Sequence, residues 1–301
     1  MRYIMFISLT GCSILEKYES VVGACETKTY GYDSPSEDAK LALEQSNCYR
    51  NLMGLSRGRL HPDLDEAAQA HADYMFGLGT ITHQESSSNE GYTGEWVNDR
   101  METAGYDVVA GSMWSEVVAW GYDPDEAIDG WMSTVYHRIP FTLPGWTEQG
   151  FGQNELYSSM SFVTPIPDGN HRAVIFPADG QSQVPTIFDS DTEIPDPAPD
   201  HGVIGYPITV TVGSTEITGD GNYNPYDLEL IDAVVWGPGG EEVDILTMDP
   251  TNDDLIYVMA AAMPLEPLEE GATYEAEMTI EWAGDSQTLF TEFTTEVADD
   301  E

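Results

Sequence analysis

The sequence predicts an α+β unit followed by an all-β sandwich. Three observations carry this expectation. Residues 37 to 134 place apolar side chains at helical spacing, punctuated by caps and prolines. Residues 206 to 295 alternate apolar and polar side chains with period two. The charge regime also breaks in mid-chain. Arg172 is the last basic residue, and residues 173–301 hold 29 of the 54 acidic residues with no Lys or Arg.

The whole chain has 301 residues and a net charge of −44. Its only lysines are Lys17, Lys28 and Lys40. A nucleic-acid partner is excluded on this basis, because phosphate binding needs clustered bases. Anionic lipid surfaces are disfavoured for the same reason. A hydrophobic share of 41% suffices for packed cores. No apolar run reaches the roughly 18 residues of a spanning helix.

In chain order, Met1-Arg2 precedes the apolar run Tyr3 to Leu9 and then Thr10-Gly11-Cys12. A positive start, a short apolar stretch and small residues before a cysteine form an export address. Leu9-Thr10-Gly11-Cys12 resembles the bacterial lipobox. The resemblance implies a signal over residues 1–11, lipidation of Cys12 and a lipidated tether over residues 12–36. Ser13 stands where Asp would imply inner-membrane retention, so the expected location is the outer membrane or cell surface. The alternative reading is a buried N-terminal strand. In an oxidising compartment the two remaining cysteines, Cys25 and Cys48, would pair and tie the tether to the first helix. The alternative is two unpaired thiols.

The first unit spans residues 37–172. Ser36 can cap a helix from Glu37 to about Leu55, with Leu41, Leu43, Cys48, Leu52 and Leu55 as its apolar set. Pro62 opens a second helix to about Leu78, with acids in its first turn. A third runs from Gly94 to Ala104 and stops at Gly105; a fourth runs from Pro124 to about Thr134. Strands are expected at Val117–Trp120, Thr147–Gln153 and Tyr157–Val163.

The second unit spans residues 173–301. The acid- and proline-rich stretch Asp189–Asp200 reads as a linker or long edge loop. About seven strands follow from the alternation, including Tyr206–Val212, Leu228–Trp236, Leu255–Ala261, Tyr274–Trp282 and Gln287–Thr295. Tyr274, just after Gly271, sits where a tyrosine corner belongs. Phe176-Pro177-Ala178-Asp179-Gly180 through Val184-Pro185 resembles the opening of bacterial immunoglobulin-like domains. The acid excess implies a saline setting or calcium. Asp220, Asn222, Asn224 and Asp227 offer oxygen ligands, although Pro225 stands where an EF-hand needs glycine.

The chemistry-bearing residues cluster in the first unit. Asn47 and Arg50 precede His71 in the second helix. Then come His83, Arg100, Gly105-Tyr106, Glu116, Trp131-Met132, Tyr136-His137-Arg138 and Gly150-Phe151-Gly152. This ordered set resembles the bacterial CAP or SCP superfamily, the cysteine-rich secretory protein fold, over residues 38–164. The resemblance implies an α-β-α sandwich with a cleft holding His83, Glu116 and His137, and with His71 packed beneath. Tyr136 replaces the family's glycine before His137, and Ser115-Glu116-Val117 replaces Gly-Glu-Asn. Family associations are sterol or lipid binding, protein–protein signalling and scattered proteolysis.

Two imidazoles and a carboxylate suit zinc or another divalent cation. The same trio without metal is a hydrogen-bond network in which Glu116 fixes a tautomer. Glu85 lies close enough in sequence to His83 to contribute, whereas His61 and His171 read as surface. No nucleophile elbow, phosphate loop, dinucleotide fingerprint or zincin motif is present. The favoured function is a lipid-anchored extracellular module that binds a small lipid or a protein. The alternatives are a divalent-metal hydrolase using the same trio, and an adhesion module working through the sandwich.

Overall fold

Ser36 begins the first helix, its extended backbone letting Oγ accept from the Ala39 amide at 3.1 Å. In this computed structural model residues 30–109, 112–145, 148–164, 172–213 and 227–297 are described. Helix α1 covers Glu37–Leu52, three residues short of Leu55. Leu41 is 45% exposed, contrary to expectation. The buried face pairs Ala39, Ala42 and Leu43 with Ser46, Asn47 and Arg50. Polar groups are tolerated there because each finds a partner. Asn47 brackets the Gly58 backbone, accepting from its amide at 2.7 Å and donating to its carbonyl at 3.3 Å. Arg50 donates to the carbonyls of Ser56, Phe141, Leu143 and Gly145. Its burial lowers the guanidinium pKa to about 10.

Strand β1 (Arg59–Leu60) leads into helix α2 (Pro62–Leu78). His61 caps α2, Nδ1 accepting from Asp63 N at 3.3 Å. It is half-buried with its ring edge-on to Tyr106, rather than a free surface histidine. Helix α3 covers Val97–Ala104, starting later than Gly94. Strand β2 (Met113–Trp120), helices α4 (Pro124–Met132) and α5 (Ile139–Thr142), and strands β3 (Glu148–Asn154) and β4 (Tyr157–Thr164) complete the unit. The sheet order is β1-β3-β4-β2, with β1 parallel to β3 and the other pairs antiparallel.

Alternation along β4 sends Met160 and Phe162 to the core shared with α1 and α4, and Val163 to the core shared with α2 and α3. Helices therefore cover both sheet faces, as an α-β-α sandwich requires. The Gly150-Phe151-Gly152 motif has a packing cause. A Cβ at Gly150 would collide with the Leu64 carbonyl, and one at Gly152 with the Gln69 backbone. Only glycine lets α2 rest its backbone on β3.

Among the described residues the second unit has ten strands, more than the seven expected: β5 (Arg172–Phe176), β6 (Gln181–Val184), β7 (Ile187–Asp189), β8 (Val203–Gly205), β9 (Ile208–Gly213), β10 (Glu229–Trp236), β11 (Ile245–Met248), β12 (Met259–Pro264), β13 (Thr273–Trp282) and β14 (Asp285–Thr295). Sheet β11-β12-β9-β5 packs on sheet β10-β13-β14-β6, with β7-β8 a separate hairpin. This is the strand order of a constant-type immunoglobulin sandwich, with β6 added parallel to β14. Tyr274 makes the tyrosine corner, its hydroxyl accepting from Glu269 N at 2.9 Å. Strand β12 begins at Met259 rather than Leu255, whose amide is instead taken by Asp253 Oδ1 at 2.8 Å in a turn.

Along β13, Tyr274, Ala276, Met278, Ile280 and Trp282 are buried, while Glu275, Glu277 and Glu281 face out. Glu229 pairs directly with Glu281, and Glu275 with Glu292.

Of the two readings of Asp189–Asp200, the structure shows the loop and not the linker. The stretch opens the loop between β7 and β8, and its Glu193 is buried against the first unit. Arg138 crosses in the opposite direction. It donates to Pro207 O at 2.7 Å and lies against both the Phe176 and Tyr206 rings, 4.9 Å from each centroid. Tyr136 donates to Asp253 at 2.9 Å, and Tyr206 to Met132 O at 3.0 Å.

The expected tether is docked at its end. Leu60 N donates to Tyr30 O at 2.8 Å, and Tyr32 donates to Asp65 Oδ2 at 2.6 Å. Cys48 is disulfide-bonded. Its expected partner Cys25, the lipidation candidate Cys12, the metal-ligand candidates Asp220, Asn222 and Asn224, and His171 all lie outside the described residues. Among the described residues no helix is long and apolar enough to cross a membrane.

Candidate functional site: a histidine-lined cleft

Strand β2 presents Glu116 beneath the loop that carries His83. The Glu116 side chain is buried, with His83 Nδ1 at 3.1 Å from Oε1 and Arg100 donating to Oε2 at 2.5 Å. Ser159 Oγ, on neighbouring β4, donates to the same oxygen at 3.3 Å. Burial pushes the Glu116 carboxyl pKa up. The His83 hydrogen bond and the charges of His71, Arg100 and His83 outweigh that and hold it below its ordinary value. The His83 side chain is 47% exposed, so its ring is the accessible end of this network.

His71 lies on α2 with no exposed surface. Its Nδ1 meets Glu85 Oε1 at 2.8 Å and its Nε2 meets Thr82 O at 2.7 Å; Glu116 Oε1 is 3.7 Å from Nε2. Glu85 also accepts from the Thr93 and Gly94 amides at 2.7 and 3.4 Å. It thus pins the loop before α3 instead of reaching the cleft. Arg100 adds a bond to His83 O at 3.1 Å. These contacts build a rigid floor for His83 from residues distant in sequence.

His137 follows α4 and lines the same cleft as His83. It does not join the His83–Glu116 pair. Its Nδ1 lies 2.8 Å from Glu193 Oε1, in the second unit. Glu193 also accepts from the amides of Val135, Tyr136 and His137 at 2.8, 2.7 and 3.2 Å. Three successive amides form an anion-binding concavity, and the second unit fills it with its own carboxylate. Sequence reasoning missed Glu193, because it sits in a stretch that reads as linker or edge loop, 56 residues from His137.

The cleft encloses about 470 Å³. Val118 and Trp120 of β2, Trp131 of α4, and Ile194 of the β7–β8 loop form apolar walls, with His83 and His137 as polar points. Trp131 is fixed by donating to Val118 O at 3.2 Å. Among the described residues no group of three or more His, Cys, Asp or Glu side chains is placed to hold a metal ion. His83, Glu116 and His137 are not gathered into one set: Glu116 is bonded to His83 and Arg100, whereas His137 turns to Glu193.

The family model of the cysteine-rich secretory protein family, CAP, matches residues 43–164, and the first unit is a CAP domain. No curated protein matches the chain. Among solved structures, an extracellular protein containing an SCP domain from Bacillus anthracis str. Ames is similar at 16% identity and a TM-score of 0.36. The match covers 42% of this chain and 40% of that one, so the chain spans about two fifths of that protein's length. An outer surface protein from Borrelia burgdorferi is similar at 18% identity and a TM-score of 0.34, over 44% of this chain and 98% of that one.

Proposed function

We propose that the chain is an exported, non-catalytic binding protein, anchored through a lipid on Cys12, whose ligand sits in the His83–His137 cleft. The cleft itself carries this reading. Its size falls in the range of small-molecule sites, and aromatic and aliphatic walls with a few polar points, the two histidines among them, suit an apolar body with a polar end. Hydrolysis would need a nucleophile or metal-activated water. Among the described residues no carboxylate lines the cleft, Glu116 being covered by His83, and the mainly apolar walls favour binding over that chemistry.

The test uses Gly130, which lines the cleft on α4. A Cβ there would meet nothing within 4 Å, so Gly130→Leu fills the cleft without touching its frame. The neutral fluorophore N-phenyl-1-naphthylamine should bind the intact chain at one equivalent, and Gly130→Leu should abolish binding while the melting temperature holds. Absence of saturable binding to the parent chain, or equal binding to both, defeats the proposal.

A further inference from the structure

We infer that the cleft is a composite site, walled on one side by the second unit, that takes an ammonium-bearing amphiphile. This rests on the ligand-binding reading above and assigns it a ligand class.

The wall comes first. Thr192 and Ile194 line the cleft, and Glu193 between them turns inward. Glu193 is 1% exposed and holds three amides and His137, whereas Ile194 is 82% exposed. Because Ile194 lines the cleft while exposed, a ligand seated there would bury its apolar surface. Glu193 is the positioning residue, and Ile194 the surface it presents.

The ligand class follows from charge. Among the described residues no Lys or Arg lines the cleft, and the chain carries a net charge of −44. An anionic head group would enter against the field; a cation would be drawn in. Trp120 and Tyr122 line the same cleft at 57% and 46% exposure, offering ring faces to an ammonium. Trp131, Val118 and Ile194 supply the apolar bed for the attached chain.

The experiment compares octyltrimethylammonium, octanol and octanoate by titration calorimetry on the full chain at about 0.1 M salt, which damps long-range attraction. The ammonium probe should bind about tenfold tighter than the other two, and Trp120→Ala should remove most of that advantage. Ile194→Ser should weaken all three by about threefold or more. Both side chains are exposed, so neither variant threatens folding. Equal affinity for the three probes, an advantage that survives Trp120→Ala, or indifference to Ile194→Ser overturns this inference. Those outcomes leave the binding reading intact if the naphthylamine still binds. If no probe binds, the naphthylamine included, the binding reading itself falls.

Discussion

The two units solve the problem of a buried interior in opposite ways. The first buries Arg50, Arg100, His71, Glu85 and Asn47 with their partners, and a functional cleft grows at the edge of that network. The second buries a mainly apolar core in which most buried polar groups are threonine or serine hydroxyls, and turns its carboxylates outward along β13. Buried polar groups specify geometry at high stake, because each must be satisfied. An apolar sandwich is indifferent to such detail and serves as a frame. The difference teaches where chemistry can be sought. It lies where the fold spends hydrogen bonds that it could have avoided.

The largest way to break the comparison is Arg100→Met. It strands Glu116 and Glu85 without their guanidinium and should cost about 3–5 kcal/mol, read by urea melting. A loss under about 1 kcal/mol would mean that the polar interior is not what holds this unit. Arg138→Met removes the bond to Pro207 and the stack on Phe176 and Tyr206; it should cost about 2–3 kcal/mol and split one calorimetric transition into two. A single transition would show that the units remain coupled without it.

A third prediction concerns pH. Burial raises the Asp129 carboxyl to about 6, despite hydrogen bonds from Gln45 and Tyr49. Folded Asp129 therefore holds a proton that the unfolded chain releases near pH ~4. Stability should fall as pH rises from about 4 to 6, by about 1–3 kcal/mol from this group. Asp129→Asn should remove that component, measured by denaturant midpoints at about pH 5 and 7. Glu116 acts in the opposite direction. Its lowered pKa adds stability above the ordinary carboxylate range, lost as pH falls through the folded value.

The smallest expected effect lies in the second unit. The Glu229–Glu281 and Glu275–Glu292 pairs oppose like charges across strands, each costing about 0.2–1 kcal/mol at low salt. Glu281→Gln should raise the melting temperature in low salt and do little in about 1 M sodium chloride. Equal shifts in both would show that the strain is not electrostatic.

Much of this is legible in the residues themselves. Pro62 opens α2, which ends at Leu78 as its pattern predicts, and the Tyr274 corner follows from its place after Gly271. His83 and Glu116 emerge from the ordered family-like set. Other features are hidden for physical reasons. The inward face of α1 cannot be read by counting leucines, since Leu41 faces water while Arg50 is buried by carbonyls supplied from residues 141–145. The His137 partner lies in the other unit, and acidic, proline-rich composition disguises a buried anchor as a linker or edge loop. Local pattern reports a residue's own periodicity; it does not report which distant backbone will come to meet it.

Arg138 and Glu193 form a reciprocal exchange. The first unit lends a cation to the backbone at Pro207, and the second lends an anion to the backbone at residues 135–137. Each half thus carries an unmet demand that only the other satisfies. Recombination that shuffles one half onto a new neighbour would leave a sealed charge on one side and bare amides on the other. Cutting the chain between the two units would therefore open both sites at once, and a free first unit would need the segment around His137 rewritten.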